Sequence, residues 1–98
     1  MLRHIVLFKI RENIPDKGKT ASTLKDKLER LKDQIPEVKK LETGINVSTQ
    51  PNAYDLALVT EFNDGKDLEV YRNHPAHQAV VKYILDVTSD RIVTDYMK

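Results

Sequence analysis

The chain has 98 residues and no cysteine, with 16 basic side chains set against 15 acidic ones for a net charge of +1. This length makes one domain, residues 1–98, and the charge balance leaves no electrostatic footprint for nucleic acid or an anionic membrane. Without cysteine there are no disulfides, thiolate nucleophiles or thiolate metal sites.

Near the N-terminus the only apolar run is Ile5–Phe8, too short for the core of a signal peptide or for a membrane span, so a soluble cytoplasmic protein is expected. Leu2–Ile10 is predicted as a first strand, with His4, Val6 and Phe8 on one face and Ile5 and Leu7 on the other. Both faces are apolar, and a chain this short covers only one of them well. Asp16 is a candidate cap for a helix running to Gln34, in which Ala21, Leu24, Leu28, Leu31 and Ile35 form one stripe and the remaining face is charged. Pro36 ends that helix. Val38–Val47 and Tyr54–Phe62 are predicted strands, and Gly44 in the former suggests a bulge or a close approach. In the latter, Leu56, Leu58 and Phe62 share one face while Ala57 and Val59 share the other.

Asn63-Asp64-Gly65 signals a turn and the start of a short helix to Tyr71, and Pro75 opens another carrying Val80, Val81, Ile84 and Leu85. Arg91–Met97 is the last strand, with Ile92, Thr94 and Tyr96 alternating with Val93, Asp95 and Met97. The order βαββααβ predicts an α+β, ferredoxin-like fold: a four-stranded antiparallel sheet with helices on one face. The uncovered face would hold Ile5, Leu7, Ala57, Val59 and Ile92, and an apolar face of that kind predicts a two-fold homodimer with sheets packed face to face.

Chemistry concentrates in Tyr71-Arg72-Asn73-His74-Pro75-Ala76-His77. Pro75 drives His74 out of the helical region, so Tyr71 closes one helix and His77 lies in the first turn of the next. The bend brings a phenol and an imidazole to common ground, expected within ~5 Å and close to hydrogen-bonding distance. His77 is a candidate general base, since an imidazole titrates near pH 6.5 or so. Tyr71 is a candidate to orient it or to donate to a developing oxyanion. The bland alternative has Tyr71 packing under the helices and His77 capping a first turn. His74 is expected to hydrogen-bond the bend. His74 and His77 are three apart, but the proline sets His74 outside the helix and no third metal ligand is evident. The three glycines are scattered and form no phosphate loop, and Asp55–Phe62 lacks the basic and aromatic residues of an RNA-recognition strand.

His4-Ile5-Val6-Leu7-Phe8-Lys9, Tyr71 with His74-Pro75-Ala76-His77, and the closing Asp95-Tyr96 together resemble the stress-responsive A/B-barrel (Dabb) family along the whole chain. The resemblance implies a ferredoxin-like monomer and a dimeric α+β barrel. The family includes plant stress proteins and a plant polyketide cyclase. There, a tyrosine and a histidine matching Tyr71 and His77 are the catalytic pair of an aldol condensation, and a histidine matching His4 lines the pocket. Two polar pocket positions of that enzyme are leucine here, Leu28 and Leu56, which implies a different substrate. Some plant members hold a cation on backbone carbonyls that correspond to Lys32, Ile35 and Val38.

Two functions are therefore expected as alternatives. One is a small-molecule pocket lined by His4, Leu28, Leu56, Leu58, Tyr71 and His77, doing cofactor-free acid–base chemistry on a carbonyl compound as a cyclase or isomerase. The other is a non-catalytic, stress-associated dimer in which the Tyr–His pair is structural.

Overall fold

A computed structural model describes residues 1–98. In chain order the elements are β1 (Leu2–Ile10), α1 (Lys17–Glu29), α2 (Leu31–Gln34), β2 (Lys40–Ile45), β3 (Leu56–Phe62), α3 (Gly65–Asn73), α4 (Pro75–Val87) and β4 (Thr88–Met97). The strands form one antiparallel sheet ordered β2-β3-β1-β4, with the helices on one face. This is the ferredoxin-like α+β architecture expected from the element order.

Local chemistry accounts for the boundaries. The Asp16 carboxylate accepts from the Lys19 N–H at the start of α1, and Asp64 does the same for Asp67 at the start of α3, each satisfying a donor that the helix cannot. The single helix expected to Gln34 is interrupted at Arg30. There the Asp33 N–H bonds back three residues to the Arg30 carbonyl, a tightened turn that still keeps Leu28, Leu31 and Ile35 on one buried stripe. β2 is shorter than expected: Val38 folds back into the core through a bond to Ile35, and Val47 is almost wholly exposed. Gly44 marks neither a bulge nor a close approach, because the β2–β3 register runs through it unbroken and nothing lies within 4 Å of where a Cβ would stand. The irregularity in the sheet is instead between Lys9 and Ile10, where β1 meets the start of β4. β4 begins three residues earlier than Arg91, directly after α4, because the Thr88 hydroxyl and N–H both bond to the Ile84 carbonyl and close the helix without a loop.

Alternation along β1 sends Leu2, His4, Val6, Phe8 and Ile10 under the helices, where each is buried. Leu2, Val6 and Phe8 pack with Leu24, Leu28, Ile35, Leu58, Phe62 and Tyr71 into a single hydrophobic core. On the opposite face, register sets Ile5 beside Val59 and Thr94, and Leu7 beside Ala57 and Ile92. Those four residues from β1 and β3 are half-buried, while Ile92 is 47% exposed. No helix of the chain is long and apolar enough to cross a membrane.

Candidate functional site at the α3–α4 junction

His74 is the hinge of the site. Its φ of −66° and ψ of 135° are extended, as a residue before proline requires, and Pro75 occupies the first position of α4. The His74 N–H bonds to the Tyr71 carbonyl, while its side-chain Nδ1 accepts from the Ala76 N–H at 3.0 Å, so one residue closes α3 and caps α4. The carbonyl of Arg72, orphaned by the end of α3, receives the His77 Nδ1–H at 3.1 Å and the Gln78 side-chain amide at 2.6 Å. A carbonyl can only accept, so Nδ1 carries the hydrogen and His77 Nε2 keeps a free lone pair.

The junction brings the rings of Tyr71 and His77 into contact, with centroids 4.4 Å apart and planes tilted by 47°. The two rings are in contact without a hydrogen bond between them. His77 spends Nδ1 on the Arg72 carbonyl, and the Tyr71 hydroxyl, on a residue with 0% exposure, has no partner at all. Burial pushes the Tyr71 phenol well above the usual tyrosine range, leaving it a donor over the whole working pH range. Burial likewise pulls the His77 imidazole below 6.5; the bond to the Arg72 carbonyl opposes that shift, and the nearby His4, Arg72 and Arg91 reinforce it. His77 is thus a neutral base near pH 7.

Beside this pair lies a cavity of about 320 Å³ between the sheet and α4. Its apolar wall is Val6, Phe8, Leu28, Leu58, Val81 and Ile84, its Tyr–His wall is backed by His4, and its mouth carries Asn73, Gln78 and Arg91. Five of the six residues expected to line a pocket therefore surround it. Leu56 does not. It pairs with Phe8 on the side away from β4, so in the row Leu56–Phe8–Arg91 the phenylalanine stands between Leu56 and the cavity, and Leu56 belongs to the core.

The sequence reading did not assign Asp95, Arg72 or Arg91. Asp95 faces His4 across the β1–β4 register and accepts a hydrogen bond from its Nδ1. Asp95 also accepts from Arg72 at 3.3 Å, and Arg72 donates to Glu69 at 2.6 Å. The signal for Asp95 was an acidic residue on the same face of the last strand as Val93, the helix side. His74 and His77 do not converge on a point, each spending Nδ1 on the backbone, and no three or more His, Asp or Glu side chains are arranged so that they could hold a metal ion. Of the carbonyls corresponding to the plant cation site, that of Ile35 already accepts from the Val38 N–H.

A family model for the stress responsive A/B barrel domain matches residues 2–98. The chain belongs to that family. This Dabb chain is 35% identical over 81 residues to an uncharacterised protein of Streptomyces coelicolor, covering 83% of this chain and 84% of that protein. It superposes on a dimeric ferredoxin-like protein of Bacteroides fragilis with a TM-score of 0.89 at 31% identity, covering 99% of this chain and 95% of that one. It also superposes on the hydroxynitrile lyase of Passiflora edulis with a TM-score of 0.85, over 99% of this chain and 92% of that one. At 17% identity the latter likeness shows the shared fold.

The unpartnered phenol makes a prediction about this Dabb fold. A buried donor without an acceptor costs roughly 1–3 kcal/mol, so Tyr71→Phe should raise stability by about 1 kcal/mol in urea denaturation with the slope unchanged. A loss of stability instead would mean that the hydroxyl has a partner in solution.

Proposed function

We propose that this Dabb domain binds a small carbonyl compound in the cavity beside Tyr71 and His77 and moves a proton on it without a cofactor, as a cyclase or isomerase does. The observation that carries this reading is an imidazole with a free acceptor nitrogen packed against a buried phenol that has no acceptor, both at one hollow. In the proposed step, His77 Nε2 takes a proton from the carbon next to the carbonyl. The C–H electrons move into the carbonyl, and the Tyr71 hydroxyl donates to the oxygen that gains charge. The resulting enolate is then reprotonated elsewhere, or attacks a second carbonyl of the same molecule. His77, half-buried and held at Nδ1 alone, is the ring that shifts to let the ligand oxygen reach Tyr71. Asp95 fixes the ring of His4 at the back of the site, and Leu28 and Leu58 supply apolar wall where the plant cyclase resemblance has one polar residue at the position of Leu28. A volume near 320 Å³ is at the small end for ligand sites and suits a single compact molecule.

His77→Gln tests this directly. Deuterium uptake next to the carbonyl, followed by NMR over a panel of neutral and carboxylated ketones, should fall by roughly 10²- to 10⁴-fold while the melting temperature stays put. No uptake in the wild type, together with a destabilised His77→Gln variant, would leave the non-catalytic, structural reading of the pair. The pH profile carries a sign. The base works when neutral, and its pKa lies below 6.5, so activity should be flat through neutrality and fall only as acid takes the pH below that value. A midpoint above 6.5 would contradict a desolvated base.

We further propose that two copies pair through the open sheet face, as the dimeric description of the Bacteroides relative suggests. Val59 lies near the middle of that face, opposite Ile5 on β1 and Glu42 on β2. Val59→Lys should convert a particle of twice the chain mass into a single chain in light scattering at micromolar concentration. A wild-type monomer at that concentration would rule this interface out.

A further inference from the structure

Apart from Tyr71 and the two histidines, five polar or charged side chains line the cavity, Glu69, Arg72, Asn73, Gln78 and Arg91, and three of them already have partners. Arg72 is engaged by Glu69 at 2.6 Å and by Asp95 at 3.3 Å, which also accounts for Glu69, and Gln78 is spent on the Arg72 carbonyl. Asp95 is shared further with His4. Arg91 is different. Its guanidinium forms no ion pair and no side-chain hydrogen bond; only its backbone N–H is used, by Asp90. Yet it lines the same cavity as His77, at the end where β4 pairs with Phe8.

Strand geometry fixes the layout. Arg91, Val93 and Asp95 follow one another on the cavity side of β4, opposite Phe8, Val6 and His4. Four residues of strand separate Arg91 from Asp95, a span of about 13 Å. One end of the hollow is therefore a saturated network around His4, the other a cation without a counter-charge, and the floor between them is apolar.

We propose that the compound this site takes is an oxo-acid, whose carboxylate is held by Arg91 while its carbonyl lies at Tyr71 and His77. This rests on the proposed acid–base function and narrows its substrate class. A guanidinium presents parallel N–H donors that match a carboxylate in a bidentate fashion. Arg91 and His77 line the same cavity of about 320 Å³, which places both groups within reach of one small molecule. Arg72 offers no such handle, since its charge is already balanced twice over.

The test compares benzoylpropionate, an aryl ketone two methylenes from a carboxylate, with its methyl ester, by NMR titration at low salt. The wild type should bind the acid about tenfold more tightly than the ester, equivalent to ~1.4 kcal/mol. Arg91→Gln should bring that ratio to about one, and Lys66→Gln, which removes an equal charge from the exposed start of α3, should leave it unchanged. Equal binding of acid and ester by the wild type would overturn the assignment to Arg91 and leave the pocket standing. A preference that survives in Arg91→Gln, or is lost equally in Lys66→Gln, would overturn it as well, the latter by showing a general charge effect. Failure of both compounds to bind at millimolar concentration would remove the carboxylate site and the ligand pocket together.

Discussion

The structure depends on a single refusal: a helix cannot run through His74-Pro75. On an uninterrupted helix, Tyr71 and His77 would lie about 9 Å apart along the axis and roughly 120° apart around it, so their rings could not touch. The extended His74 folds that separation away, and the ring centroids come to 4.4 Å. The same residue satisfies both helix ends it separates, through its N–H to Tyr71 and its Nδ1 from Ala76, so the kink carries little unsatisfied backbone. The one carbonyl it leaves over, that of Arg72, sets the tautomer of His77. A steric constraint on one peptide unit thus determines which imidazole nitrogen is free to act as a base.

The sheet supplies the rest of the site by alternation and register alone. His4, Val6 and Phe8 point under the helices because every second residue of β1 must, and antiparallel pairing sets Asp95, Val93 and Arg91 beside them. Polar residues occur at both ends of this double row and apolar ones in the middle. At the His4 end, Asp95 accepts from both His4 and Arg72, and Arg72 is paired with Glu69 as well, so each charge there already has a partner. At the mouth, water can solvate Arg91 and no such balance is required. The contrast between the two ends is what gives the cavity a direction.

Features set by neighbours in the chain were legible before any coordinates. The faces of β1, the Asp16 cap, the break at Pro75 and the element order all follow from short-range rules, and the ferredoxin-like topology follows from that order. Features set by partners far along the chain were not. Leu56 and Leu58 look equivalent in sequence, and only the pairing of Leu56 with Phe8 shows that one is shielded from the cavity and the other is not. The hydrogen bond between His4 and Asp95 spans 91 positions, and alternation could say which side of the strand Asp95 takes but not what it meets there. Gly44 misled for the opposite reason: glycine permits a bulge without requiring one. The meeting of phenol and imidazole followed from the break at Pro75, but the bond from His77 to the Arg72 carbonyl did not, because only the folded helix end exposes that carbonyl.

The orphaned hydroxyl of Tyr71 is the feature that separates a scaffold from a site. Around it the core is consistent: the helix caps are filled, the sheet is in register, and no other buried side-chain nitrogen or oxygen lacks a partner. Phenylalanine would fill the same volume against Phe62 and His77 without burying an unsatisfied donor. If packing were the only demand on this position, the hydroxyl would be a pure cost. A sequence that agrees with its fold at every other level tends to break the rules where function requires it. The break here lies against the His77 imidazole, whose acceptor nitrogen is free, at the edge of the cavity that Arg91 also lines. A ligand carbonyl oxygen is the kind of acceptor that would turn the cost into binding, and in the proposed reaction that oxygen is the atom on which negative charge would grow.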